Sequence, residues 1–184
     1  MKGDQGAAVK IRRAELSAAG PVTEVRTLSW RSAYRGLVPR SYLDGVRPER
    51  RVPVWPGIIA EARWPAGGVL VAEDGEGVAG FAAFCPSRDP DGEPARIGEI
   101  SAIYLSPRLW GAGVGGRLLG HATDVPAAAR YEQATLWALE GNARARRCYE
   151  RNGWRVDGAA EIDETRGFPL SEIRYRREPG RRSG

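Results

Sequence analysis

The amino-acid sequence predicts a mixed α/β fold, in which one central sheet carries helices on both faces. The chain has 184 residues, of which 42% are hydrophobic, and this is enough for one domain with a substantial core. Two apolar segments flank a tight turn at residues 74–77, which predicts an antiparallel hairpin. Further along, strand patterns alternate with helical ones. Antiparallel neighbours followed by strand–helix–strand–helix units indicate a mixed sheet.

The first third of the chain predicts one strand and up to three helices. Residues 7–14 (AAVKIRRA) predict the first strand. A helix is predicted from Pro21 to about Tyr34, because apolar residues recur there at helical spacing. A second short helix is predicted at residues 41–44, and residues 58–63 are a third candidate. The apolar stripes of the first helix comprise Val22, Val25 and Leu28 on one side, and Trp30, Tyr34 and Leu37 on the other.

After Gly67 the apolar pattern changes to that of strands. Helices are predicted only at residues 114–123 and 142–153, and the second ends at an Asn-Gly pair, a common C-terminal signal. Residues 86–97 are polar and predict a loop. The predicted strands are residues 68–74, 78–86, 98–107, 133–139, 154–162 and 171–178.

The charge pattern argues against nucleic acid as the main partner. The net charge is +5, from 28 basic and 23 acidic residues, but the arginines are scattered along the chain. The exception is the C-terminal end, where residues 179–184 predict a disordered basic tail after a single domain at residues 1–178.

The predicted location of the chain is the cytoplasm. No apolar segment is long enough to span a membrane, and the N-terminal residues lack the apolar core of a signal peptide. Cys85 and Cys148 have neither metal-ligand nor redox spacing, as expected of thiols in a reducing compartment. We therefore expect no membrane partner, and we leave open whether the chain forms a homodimer.

Four glycines precede the helix predicted at residue 114, namely Gly111, Gly113, Gly115 and Gly116. Glycine adopts positive φ angles, so successive N–H groups can converge on one point. The helix N-terminus adds unpaired N–H donors and about half a positive charge. This pattern predicts a cradle for a diphosphate.

Two common nucleotide motifs fit this stretch poorly. A Walker-type loop requires Lys and then Ser or Thr after its last glycine, and here Arg117 and Leu118 follow Gly116. A dinucleotide-binding turn requires Gly-x-Gly-x-x-Gly after the first strand, and this stretch has a different spacing and lies far along the chain. A further alternative is that the glycines only allow close helix packing.

The third ligand candidate is coenzyme A, because AIYLSPRLWGAGVGGRLL resembles the acyl-CoA-binding motif of the GNAT family of N-acyltransferases. That motif is a strand, then Gln/Arg-x-x-Gly-x-Gly/Ala, then a helix, and it aligns here as Trp110-x-x-Gly113-x-Gly115. Trp110 stands where the family usually has Gln or Arg. The resemblance implies that acetyl-CoA, with no metal, is bound by Trp110, Gly111, Ala112, Gly113, Val114, Gly115 and Gly116.

Two further stretches extend the resemblance to residues 9–177. LWALEGNARARRCYERNGWRVDG is similar to the family's fifth strand and following helix, with its Asn and Tyr at Asn142 and Tyr149, and WRSAYRGLVPRSYLD resembles its first-helix region. The resemblance implies a mostly antiparallel sheet of six to seven strands whose central strands splay apart.

The family pattern assigns Tyr149 as the general acid that protonates the leaving thiolate of coenzyme A. A phenol, with a pKa of about 10, suits this task because the pKa of the thiol is similar. Asn142 lies two turns earlier on nearly the same helix face, and Ala145 between them leaves room for the cofactor. The alternative for Tyr149 is a half-buried core tyrosine.

The remaining site predictions also come from the resemblance. Backbone N–H groups at Ile103, Tyr104 and Leu105 would polarise the thioester carbonyl, if the fourth strand carries a bulge. Glu99 would take the proton of the amine, although it fits equally well as an ordinary strand-edge glutamate, and Asp44 and Glu24 are more distant options. The predicted acceptor-binding residues are Trp30, Tyr34 and Arg35, of which the two aromatics could instead pack the helix on the sheet.

The sequence thus predicts an N-acetyltransferase that moves an acetyl group from acetyl-CoA to a primary amine of a small molecule or protein. The alternative is an acyl-CoA sensor or regulatory module with the same fold and little turnover. The presence of both Tyr149 and Glu99 favours the enzyme.

Overall fold

The computed structural model describes residues 9–45 and 54–178, and their fold is a seven-stranded sheet with helices on both faces. The strand order is β1-β2-β3-β4-β5-β7-β6, and all neighbours are antiparallel except β4 and β5. The fold class predicted from the sequence is therefore confirmed. The strands are β1 (Lys10–Arg13), β2 (Gly68–Asp74), β3 (Gly77–Pro86), β4 (Ile97–Leu105), β5 (Gln133–Leu139), β6 (Arg155–Asp163) and β7 (Leu170–Arg177).

Within residues 9–45 and 54–178, five α-helices connect and cover the strands. The first helix begins at Ala19, after a short 3-10 turn, and its core-facing residues are Val22, Val25 and Trp30. Leu28 was predicted on this stripe, but it is 52% exposed, because each three-residue step falls short of a full turn and the stripe has drifted about 120° around the helix from Val22 to Leu28. The helices are α1 (Ala19–Ala33), α2 (Arg40–Gly45), α3 (Val54–Ala60), α4 (Val114–Ala127) and α5 (Ala143–Arg151).

Alternate residues of the strands build two separate cores. In β2, Val69 and Val71 face α1 and α3, whereas Leu70 and Ala72 face α4. This follows from the two-residue period of a strand, which sends successive side chains to opposite faces. The sheet is therefore buried on both sides near its centre, as its continuous apolar runs predict.

The site is positioned by the way in which β4 and β5 separate. They pair in parallel only from Ile97 to Glu99, opposite Gln133 to Thr135. A bulge in β4 coincides with this separation: Ala102 pairs with Ala83 and Ile100 with Phe84, so Ser101 has no partner residue in β3. Beyond the bulge, one edge of β4 is open.

Three segments fall outside the described residues: 1–8, 46–53 and 179–184. The start of the predicted first strand, at residues 7 and 8, and the predicted disordered tail lie in them. No helix in the described part of the chain is long and apolar enough to cross a bilayer.

Candidate active site

Two connected cavities open where β4 and β5 diverge. The smaller has a volume of about 290 Å³ and lies between the two strands on the side of α1. The larger is a groove of about 800 Å³ between the end of β4, the glycine-rich loop and α5. Both are lined by Ile103, Tyr104, Ala145 and Tyr149, so these residues stand where the two spaces meet.

Two of the four loop glycines need the freedom of glycine in their backbone. Gly111 has a φ of +82° and Gly113 a φ of +76°, and Gly113 is the N-cap of α4. A Cβ atom at either position would point into open space, so the loop leaves room for a ligand against its backbone. Gly116 has a different reason to be glycine, since a Cβ there would meet the amide of Asn152 at 3.0 Å.

The other predicted loop residues divide between groove and core. The side chain of Val114, the first residue of α4, is buried in the core, and neither Val114 nor Ala112 lines the groove. Trp110 does line it, and its indole Nε1 donates a hydrogen bond of 2.9 Å to the carbonyl of Leu105. The ring of Trp110 is thereby held against the end of β4.

The groove is strongly cationic. Its lining includes four arginines and no carboxylate, which suits a polyanion such as the phosphates of coenzyme A. The site prediction missed these arginines, although three of them recur at three- and four-residue spacing and so share one face of α5. They are Arg117, Arg144, Arg147 and Arg151.

The open edge of β4 presents two backbone donors to the cavities. The N–H of Ser106, just after β4, donates a hydrogen bond to the carbonyl of Ala79 in β3. Successive N–H groups along a strand point to alternate sides. The N–H of Tyr104 therefore points to β3, while those of Ile103 and Leu105 point to the open side. Of the three predicted donors, two are placed to reach a ligand.

Tyr149 lies at the junction of the cavities. The residue is only 8% exposed, its ring packs edge-on against Tyr175 at a centroid distance of 5.6 Å, and its hydroxyl has no hydrogen-bond partner among the described residues. Burial chiefly, with smaller contributions from Cys148 and Tyr104, raises the pKa of Tyr149. The hydroxyl is therefore protonated at neutral pH and free to donate.

Glu99 lines the smaller cavity, but it is held by an arginine. Glu99 is 5% exposed, and its carboxylate accepts hydrogen bonds from the backbone N–H of Arg88 at 3.0 Å and from its Nε at 3.2 Å, with a further contact from Nη2. These contacts hold the carboxylate against Arg88, which lines the same cavity. No sequence pattern indicates this ion pair, because Arg88 belongs to the polar loop.

Aromatic residues form the outer wall of the smaller cavity. Trp30 and Tyr34 pack with ring centroids 4.2 Å apart, and the indole of Trp30 donates to the hydroxyl of Tyr104 at 3.0 Å. Both line the cavity, whereas the predicted Arg35 lines neither cavity.

Two glutamates that the site prediction missed also line the smaller cavity. Glu161 and Glu172 are directly opposite each other on β6 and β7. Burial, with Glu161 adding to it and Arg166 opposing it, raises the pKa of Glu172. Both glutamates lie near the site because β7 pairs with β5, and β6 pairs with β7. This order of strands in the sheet differs from their order in the sequence.

Asn142 caps α5. Its Oδ1 accepts a hydrogen bond of 3.2 Å from the N–H of Ala145, and its side chain lines the smaller cavity. We expect Asn142→Ala to lower the free energy of unfolding by about 1 kcal/mol, because an N–H of the first turn loses its partner. Thermal or urea unfolding measures this loss, and Asn142→Asp, which retains the acceptor, should restore most of it.

The same variant tests whether Asn142 also contacts the cofactor. If it does, KM for acetyl-CoA should rise in Asn142→Ala. A less stable protein with unchanged cofactor kinetics would restrict Asn142 to capping.

Among the described residues, no group of three or more His, Cys, Asp and Glu side chains could hold a metal ion.

Comparisons with known proteins find related acetyltransferases. The model of the acetyltransferase (GNAT) family matches residues 30–154. The uncharacterized N-acetyltransferase YuaI of Bacillus subtilis is 29% identical over 135 residues, which is 73% of each chain. A probable N-acetyltransferase of Mycobacterium tuberculosis is 28% identical over 152 residues, or 82% of each chain.

A solved structure supports the same fold. The PaiA N-acetyltransferase of Thermoplasma acidophilum, crystallised in complex with coenzyme A, superimposes with a TM-score of 0.72 at 17% identity. The match covers 93% of this chain and 99% of that chain.

Proposed function

The chain belongs to the GNAT family of acetyltransferases, and we propose that it transfers the acetyl group of acetyl-CoA to an amine with Tyr149 as the general acid. The observation that carries this proposal is the position of Tyr149, which has an unpartnered hydroxyl among the described residues and lines both the cationic groove and the aromatic cavity. An acid at this junction can serve a thioester on one side and an amine on the other.

The groove residues fit coenzyme A. The open backbone at Gly111 and Gly113 would receive its diphosphate, and the arginines of the groove would neutralise its charge. When bound, the cofactor supplies the acetyl group as a thioester. The N–H groups of Ile103 and Leu105 are the donors that can polarise its carbonyl from the open edge of β4.

The smaller cavity would bind the acceptor, a small-molecule or protein amine. Its lining has three glutamates and two arginines, and Glu161 and Glu172 form no ion pair with a described arginine, so this lining favours a cationic amine. The amine must lose a proton before it can attack, and we assign this proton to Glu99, which lines the same cavity. Tyr149 would then donate its proton to the departing sulfur, and the second proton that the nitrogen loses on becoming an amide would return to the tyrosinate.

A screen of amine acceptors, followed by the release of free coenzyme A, tests the function directly. We expect at least one primary amine to give turnover that depends on acetyl-CoA. If the protein binds acetyl-CoA but acetylates no amine across a broad panel, the activity is absent, and the chain is better described as an acyl-CoA sensor.

The role of Glu99 predicts a selective loss of rate. Glu99→Gln should lower kcat by about 10²-fold, the lower end for a positioned base. The Kd of acetyl-CoA should not change. Asp74→Asn is a matched control, because the Asp74 side chain is also buried and forms an ion pair, with Arg108, outside both cavities.

Glu172→Gln separates the two candidate bases. Wild-type kcat in Glu99→Gln, together with a large loss in Glu172→Gln, would assign the proton to Glu172 instead.

A further inference from the structure

We infer that Arg144, stacked on Trp110, binds the diphosphate of coenzyme A. This inference rests on the proposed function, since it concerns the cofactor of that reaction. Arg144 lies on the first turn of α5 and lines the groove, and its guanidinium carbon is 3.1 Å from the centroid of the Trp110 ring. Trp110 directly precedes Gly111, so the guanidinium is next to the glycine loop.

In the free protein, the position of Arg144 is unfavourable for a cation. It forms no ion pair with any described carboxylate, and burial lowers its pKa. It also lies in the first turn of a helix, where the macrodipole repels positive charge. A bound anion would offset the missing ion pair, the burial and the helix dipole together, because it would give the partly desolvated guanidinium a partner of opposite charge.

The neighbouring Arg146 shows what a structural arginine on this helix looks like. Its Nε donates to the hydroxyl of Tyr175 at 3.0 Å, and its Nη1 donates to the carbonyl of Glu140 at 3.0 Å. The guanidinium of Arg146 thus bonds to the protein itself, whereas that of Arg144 contacts a tryptophan face and leaves its N–H edges for a ligand.

Trp110 acts as the platform that positions Arg144. The hydrogen bond from its Nε1 to Leu105 fixes the ring plane, and the guanidinium stacks on that plane through a cation–π contact. Gln or Arg is usual at this position in the family. Here the cationic side chain is that of Arg144 in α5, and the loop contributes the Trp110 ring on which it stacks.

Of the diphosphate, the 3′-phosphate and the thiol of coenzyme A, the diphosphate is the most suitable ligand for Arg144. The two glycines with positive φ lie beside Trp110, and a diphosphate on their backbone would be within reach of a guanidinium stacked on that ring. The 3′-phosphate and the thiol are the other groups of the cofactor that Arg144 could contact, and the choice of ligand distinguishes all three.

Calorimetric titration with coenzyme A, 3′-dephospho-coenzyme A and pantetheine tests this assignment without using activity. We expect Arg144→Gln to weaken the binding of the first two ligands by the same factor, about 10- to 100-fold, since both carry the diphosphate. The affinity for pantetheine should not change. Circular dichroism and thermal unfolding establish that the variant is folded.

Variants of the platform and of a second arginine complete the experiment. Trp110→Ala should reproduce part of the loss, Trp110→Phe should retain more affinity, and the effects of Trp110→Ala and Arg144→Gln should not be additive. Arg147→Gln is the matched control, because Arg147 lines the same groove but is not stacked on Trp110. Its effect should add to that of Trp110→Ala.

Each other outcome overturns the inference in a distinct way. A loss confined to coenzyme A would assign Arg144 to the 3′-phosphate, and an equal loss with pantetheine would assign it to the pantetheine arm or to the fold. Unchanged affinities in Arg144→Gln would remove it from cofactor binding. If the wild-type protein binds none of the three ligands, the proposed function itself fails.

Discussion

Gly113→Val is expected to lower the affinity for coenzyme A by about 100-fold while the protein remains folded. A φ of +76° costs a residue with a Cβ about 1–2 kcal/mol, and a β-branched side chain more. The loop would relax to another conformation and its N–H groups would no longer converge. The new side chain would also occupy the open space where the diphosphate is expected. Isothermal titration calorimetry with coenzyme A measures the loss.

A control on the same helix separates this effect from a general effect of valine. Gly120 also has open space around its Cβ position, but it has no positive φ and does not line the groove. Gly120→Val should therefore bind coenzyme A as the wild type does. Equal affinity of Gly113→Val and wild type would show that the loop is not the phosphate cradle.

From β2 onward, the sequence located the ends of the strands to within two residues. The observed β2 and β5 coincide with the predicted residues 68–74 and 133–139. Helix limits were less certain. The structure begins α1 at Ala19 and continues α4 to Ala127, past the predicted end near residue 123, because packing on the sheet stabilises turns that local signals do not mark.

The candidate site was predictable where it depends on a local motif. The loop glycines, Asn142 and Tyr149 all lie at the cavities, because a strand, a loop and a helix that are adjacent in sequence build each part. The Arg88–Glu99 ion pair and the approach of Glu172 arise instead from contacts between distant segments. Arg144 lies outside the loop motif, whose corresponding residue is Trp110, and its stacking on that ring arises only in the folded chain.

Tyr149→Phe is expected to leave the fold and the cofactor affinity almost unchanged. The substitution keeps the ring that packs against Tyr175, and the hydroxyl that it removes bonds to no described residue. No buried partner is therefore left unsatisfied. Tyr175→Phe is an informative contrast: the hydroxyl of Tyr175 accepts from Arg146 and donates to Glu150, so its loss should reduce stability and have little effect on kcat.

The same Tyr149→Phe variant should lose most of the activity. A positioned general acid contributes roughly 10²–10⁴-fold to the rate, or about 3–5 kcal/mol of transition-state stabilisation. The loss should appear in kcat and not in the Kd of acetyl-CoA, because the hydroxyl acts only as the thiolate departs. Since burial raises the pKa of Tyr149, its ionisation should not limit the wild-type rate at neutral or mildly alkaline pH. Single-turnover rates are the proper measure, as slow product release would mask part of the effect. A Tyr149→Phe enzyme with wild-type single-turnover rates would remove Tyr149 from the mechanism.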